Sequence, residues 1–188
     1  MRFLEMPQPQ FELLETLKWD PQSGFVLLGF HLDRLEKSAR YFAYECDRPE
    51  IEKRLDGFAK EFSQNPQRVR LLLSKNGQLT LTHTQLQDTQ GTVIWSFSIS
   101  EKRVNSKNPY LYHKTTHRRF YDEEREHKKS QSGCDEVVFL NEKDELTECS
   151  FTNIFIRKNG RLLTPARESV LLDGTLRRNL LKRDQGPA

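Results

Sequence analysis

Cysteine is scarce in this chain of 188 residues: Cys46, Cys134 and Cys149 are the only three, and they stand far apart. They form no CxxC pair and no metal-ligand spacing with the five histidines, which excludes a disulfide scaffold and a zinc module. Free thiols in a reducing cytoplasm are expected. No apolar run is long enough to span a bilayer, and the opening "MRFLEMPQPQ" lacks the apolar core of a secretory signal, so no membrane role is expected. Neither charge dominates. The 30 basic and 27 acidic residues leave a formal net charge of +3, and Arg118-Arg119 are followed within five residues by Asp122, Glu123 and Glu124. That balance is too even to argue for a nucleic-acid partner. Internal repeats and low-complexity tracts are absent as well.

The length suffices for one or two small domains with a real core. "FELLETLKW" (11–19) and "GFVLL" (24–28) read as a hairpin turning at Asp20-Pro21-Gln22-Ser23-Gly24. "HLDRLEKSARYFAYE" places Leu32, Leu35, Ala39, Phe42 and Ala43 on one helical stripe. A second helix is predicted from near Pro49 to about Phe62. "VRLLLSKNGQLTLTHTQL" alternates around Asn76-Gly77, a hairpin pattern, and "TVIWSFSIS" (92–100) reads as a further strand. The polar stretch "EKRVNSKNPYLYH" (101–113) joins two units, drawn at 1–104 and 105–188. In the second unit "RRFYDEEREHKKS" reads as an exposed helix and "EVVFLN" as a strand. "DELTECSFTNIFIRKNGRLLTP" (144–165) reads as two strands turning at Lys158-Asn159-Gly160, and a last helix begins near Gly174. The sum is a mixed α/β chain.

One acid is out of place. Counting in twos along that first strand puts Glu148 on a face with Leu146, Ser150, Thr152, Ile154 and Ile156. An ionised carboxylate there needs a cation or strong donors. Three further pieces join it: Lys114 in "HKTTHRRFYD", Arg34 in "HLDRLEKSARYF", and Gly174-Thr175 at a helix start, where free N–H groups can hold an anion. Taken singly, each has a plain explanation: a wet strand end, a solvated lysine, a surface arginine, an N-cap by Asp173. Pyridoxal 5′-phosphate requires all four together. It needs an amine to condense with its aldehyde, an acid against its ring nitrogen, and an anion site for its phosphate. The pyridinium is then the cation that Glu148 awaits.

At these residues the sequence resembles the fold type IV pyridoxal-phosphate enzymes, the class IV aminotransferase family. "ETLKW", "HLDRLEKSARYF", "VRLLLSKNG", "HKTTHRRFYD", "DEVVFLNEKDELTECSFTNIF" and "LLDGTLRRNLL" occur in the family's order from about Phe11 to Leu181. The resemblance implies a two-domain architecture like that of D-amino-acid aminotransferase: a small α/β domain, then part of a larger domain carrying the lysine and glutamate. It also implies a homodimer. The chain opens almost at "FELLETLKW" and stops at "KRDQGPA", so this architecture is expected to be shortened at both ends. By the same resemblance Lys114 is the cofactor-bearing lysine and catalytic base, and Glu148 partners the pyridine nitrogen. Arg34, Gly174 and the backbone amides of Thr175 and Leu176 meet the phosphate. Arg118 and Arg119 are candidates for a substrate carboxylate, against an ordinary role as solvated charges. Position 119 is where branched-chain members have a tyrosine; Tyr121 is not assigned that role. The quoted segments are most similar to 4-amino-4-deoxychorismate lyases, which implies formation of 4-aminobenzoate and pyruvate on the way to folate. An aminotransferase of D- or branched-chain amino acids is one alternative, and a shortened, non-catalytic family member the other.

Overall fold

A computed structural model describes residues 10–87, 92–169 and 171–184. The first sheet is antiparallel in the order β2-β1-β3-β4, from β1 (Leu13–Asp20), β2 (Gly24–Phe25), β3 (Gln67–Leu73) and β4 (Leu79–Gln85). Alternation in β3 turns Val69, Leu71 and Leu73 inward and leaves Arg68 and Arg70 exposed. Two helices cover that inner face, α1 (Leu28–Phe42) and α2 (Arg48–Ala59). Leu32, Leu35 and Ala39 of α1, with Ile51 and Leu55 of α2, close the core over Leu13, Leu17 and β3. Each fully buried leucine there contributes roughly 1.5–3 kcal/mol. Asp47 caps α2, its Oδ1 accepting the Glu50 N–H at 3.1 Å, with Pro49 in the first turn as the sequence predicts. The hairpin expected over 11–28 is shorter than its pattern. Leu27 takes a left-handed conformation (φ 57°), which turns the chain into α1 and ends β2 at Phe25.

The second sheet has the order β5-β6-β7: β5 (Phe97–Val104), β6 (Glu136–Asn141) and β7 (Leu146–Cys149). α3 (Arg119–Ser132) packs on β5 and β6 over Val104, Leu111, Cys134, Val137 and Phe139. The strand expected at 92–100 in the first unit runs instead from Phe97 to Val104 and pairs in parallel with β6. Residues 101–104 are therefore sheet rather than connection, and the connection includes a short 3-10 turn at Pro109–Tyr112. β8 (Ile156–Lys158) and β9 (Arg161–Leu163) form a separate hairpin around Asn159-Gly160, both at positive φ. α4 (Thr175–Asp184) closes the described chain. No helix among the described residues is long and apolar enough to cross a membrane.

Among the described residues, the segment that carries Lys114 is stitched to the first sheet. The Leu14 N–H donates to the Lys114 carbonyl at 2.9 Å, and the Thr116 N–H to the Glu12 carbonyl at 2.9 Å. A bridge between Leu13 and Thr115 lies between them. Lys114 is thus fastened by its backbone to β1, an inner strand of the first sheet.

Candidate active site

A cavity of about 300 Å³ opens at that seam, and Arg34, Lys114, Arg118, Glu148, Gly174 and Thr175 all line it. Lys114 is partly buried. Burial pulls its ammonium down to about 8, with Arg34 and Arg118 adding to the effect and Glu15 and Glu148 opposing it. The amine is therefore far easier to deprotonate than an exposed lysine.

Glu148 lies on β7, but not on the aliphatic face its spacing suggested. The strand stops at Cys149 because the buried Glu136 carboxylate gathers the chain that follows. Glu136 Oε1 accepts the Ser150 N–H at 3.1 Å and also the Ser150 hydroxyl. Its Oε2 accepts the Thr152 N–H at 3.2 Å and the Thr152 hydroxyl at 2.7 Å. Residues 150–155 therefore leave the strand, and Ile156 belongs to another hairpin. Glu148 faces the cavity instead. Tyr121 donates its hydroxyl to Oε1 at 2.6 Å, and the Leu172 N–H donates to Oε2 at 3.0 Å. Burial raises the carboxyl above its ordinary range; these two bonds, Lys114 and Arg118 oppose the rise without cancelling it.

Arg34 is buried, not a surface residue of an amphipathic helix. Its Nε and Nη2 grip Glu15 at 2.8 and 2.7 Å, and Nη1 donates to the Asp173 carbonyl at 3.2 Å. Glu15 also accepts from His31 Nδ1 at 2.7 Å, and His31 Nε2 meets the Thr175 hydroxyl at 3.3 Å. Burial pushes the Glu15 carboxyl up, and Arg34 and His31 outweigh it, so the group stays below the usual carboxylate range. This chain of groups ties β1 and α1 to the start of α4. There the Gly174 carbonyl accepts the Arg178 N–H at 2.9 Å, which makes Gly174, not Asp173, the capping position. The Asp173 carboxylate is turned onto Arg177, 3.1 Å away. Leu176 lies in the first turn of α4 with its side chain exposed and is not among the residues that line the cavity.

The paired arginines part company. Arg118 lines the cavity, with Nε on Asp122 at 2.9 Å and Nη2 on the Ser150 carbonyl at 2.6 Å. Arg119 is 88% exposed and pairs with Glu123 on the far side of α3, so the fold does not bring it to the cavity. Sequence reasoning missed Glu15, His31, Tyr121 and Glu136. For Glu15 the signal existed: an acid inside an apolar strand, between Leu14 and Leu17, is the same anomaly that marked Glu148.

These residues fit pyridoxal phosphate. An amine with a lowered pKa, a carboxylate held by two donors, and a helix start beside a buried arginine face one space.

Comparison with known proteins agrees. The pattern of the class IV amino-transferases matches residues 12–185. A Schizosaccharomyces pombe protein provisionally named aminodeoxychorismate lyase is 30% identical over 172 residues, 90% of this chain and 73% of its own length. The crystal structure of a provisionally named amino-acid aminotransferase from Mesorhizobium loti superposes with a TM-score of 0.85 at 33% identity, over 93% of this chain and 84% of that one. The pyridoxal-phosphate-bound form of a hypothetical aminotransferase from Mycobacterium tuberculosis shares the fold, with a TM-score of 0.76 at 19% identity, over 93% and 69% of the two chains. The architecture is that of the fold type IV enzymes. The chain belongs to the class IV aminotransferase family, whose cofactor is pyridoxal 5′-phosphate.

Proposed function

We propose that the chain converts 4-amino-4-deoxychorismate to 4-aminobenzoate and pyruvate. The observation behind this reading is that Lys114, Glu148 and the start of α4 meet around one cavity, in a chain that aligns over 90% of its length with a relative bearing a lyase name. Pyridoxal phosphate, when bound, supplies an electron sink for the carbon that carries the substrate amine. Arg34, its guanidinium fixed by Glu15, and the first N–H groups of α4 hold the phosphate. Glu148 holds a proton at the ring nitrogen. The Lys114 amine, with its pKa near 8, takes the proton from the amine-bearing carbon at close range. Departure of the enolpyruvyl group, which gains a proton to become pyruvate, then leaves the substrate ring aromatic. Arg118 meets a substrate carboxylate through the donor capacity left after Asp122 and Ser150. The reading also carries a homodimer and two units that meet at the cavity. The units are drawn at 1–104 and 105–188, and β5 on the first side of that line pairs with β6 on the second.

The likeness to the Mesorhizobium loti protein favours a second reading, amino transfer. The two separate cleanly. A lyase ends each turnover ready for the next, and an aminotransferase stalls without a 2-oxo acid. The cofactor-loaded chain, given 4-amino-4-deoxychorismate alone, is expected to release 4-aminobenzoate and pyruvate continuously and in equal amounts. Transfer from a D- or branched-chain amino acid to 2-oxoglutarate, with no 4-aminobenzoate formed, would move the assignment to the aminotransferases. Silence in both assays would mark a non-catalytic member.

A further inference from the structure

Tyr121 takes no part in the steps above, yet its contact with Glu148 is the shorter of the two that hold that carboxylate. It sits in the first turns of α3 with its ring pinned edge-on to Phe139 (centroids 4.8 Å apart) and Phe120 (5.5 Å). The hydroxyl therefore has little freedom of its own. It donates to Glu148 Oε1 at 2.6 Å, and the Leu172 N–H donates to Oε2 at 3.0 Å. Donors from α3 and from the loop before α4 clamp both oxygens and set the plane of the group. The charged groups facing Glu148 are Lys114 and Arg118, and Cys149, its neighbour in the strand, is a thiol whose pKa burial pushes up to about 11.

We propose that Tyr121 is a positioning residue that keeps Glu148 ionised and aimed, so that the proton shared with the cofactor rests on the ring nitrogen rather than on the carboxylate. The part concerning the ring nitrogen rests on the proposed function. One proton has two hosts here, and a donor to the carboxylate favours the ion pair over the neutral pair. Burial works the other way: it raises Glu148, and the Tyr121 hydroxyl is the foremost group opposing it. Tyr121 can play this role because burial, then Glu148 itself, pushes its phenol far above the ordinary range and keeps it a neutral donor.

Tyr121→Phe keeps the ring and its packing and removes only the donor. In the cofactor-free protein, carbon NMR of labelled glutamate should show the Glu148 ionisation midpoint move up in Tyr121→Phe. Difluorotyrosine at this position, a more acidic phenol and stronger donor, should move it down. In the cofactor-loaded protein at fixed neutral pH, the signal of nitrogen-labelled pyridoxal phosphate should shift from pyridinium toward pyridine in Tyr121→Phe. The ratio of the two forms should change by roughly tenfold or more, the effect of one charge-assisted hydrogen bond. In a Glu148→Gln background the same substitution should change nothing further. An unmoved Glu148 midpoint in both variants overturns the proposal, and so does an unchanged nitrogen signal in loaded Tyr121→Phe. If the chain takes up no pyridoxal phosphate, the proposed function fails while the cofactor-free titration still decides the role of Tyr121. Should Tyr121→Phe not fold, the difluorotyrosine protein decides alone.

Discussion

Lys114 shows what a reactive residue costs the native state. Its ammonium is partly buried beside two arginines, and its pKa falls from 10.5 to about 8. Between those values the unfolded chain binds more protons than the folded one, so stability rises with pH from about 8 toward 10.5. Below about 8 the full penalty remains. Lys114→Met should therefore stabilise the cofactor-free protein near neutral pH, by on the order of 1–3 kcal/mol, and the gain should fade as pH approaches 10.5. Thermal melts of both proteins across that range check the sign. A gain independent of pH would mean that packing, not charge, makes the difference. The same substitution should abolish the borohydride-trapped cofactor adduct. Stability and reactivity oppose each other at this one side chain.

Of the described glycines, Gly174 at the start of α4 has the closest neighbour. A Cβ on Gly174 would lie 1.9 Å from Asn153 Oδ1 and 2.8 Å from its Cγ. The whole Asn153 side chain, which lines the cavity, would have to move. Gly174→Ala should cost about 1–3 kcal/mol by overpacking and weaken pyridoxal phosphate binding. Adding Asn153→Ala should restore most of the stability, as a urea denaturation cycle would show. If Gly174→Ala is neutral alone, the close approach does not constrain the helix. The loop over 150–152 follows a similar logic with opposite chemistry. There one buried carboxylate, Glu136, collects backbone and hydroxyl donors and ends a strand that the alternating pattern would have continued.

At the scale of the molecule, the cavity depends on how β1, α1 and α4 are held against the second sheet. Glu15 is the hinge of that arrangement: Arg34 and His31 both close on it, and Arg34 reaches on to the Asp173 carbonyl. Glu15→Ala leaves a buried guanidinium without its partner and should cost about 3–5 kcal/mol. It should weaken pyridoxal phosphate more than pyridoxal, which lacks the phosphate, in paired titrations. Equal weakening of both would show that Glu15 supports the cavity as a whole and not the anion site. The sequence by itself determined what is local: the strand alternation of β3, the turns at Asn76-Gly77 and Asn159-Gly160, the stripe of α1, and the order of segments that brought Lys114, Arg34, Glu148 and Gly174-Thr175 under suspicion. Periodicity and turn chemistry act between near neighbours, so they can be read along the chain. Tertiary structure alone decided that β5 pairs with β6, that β7 ends at Cys149, and that Arg118 rather than Arg119 reaches the cavity. It alone joined Tyr121 to Glu148 across 27 positions and Arg34 to Glu15 across 19. The end of β7 and the last two pairings join buried or part-buried polar groups far apart in the chain, and burial is what makes a polar group require one particular partner.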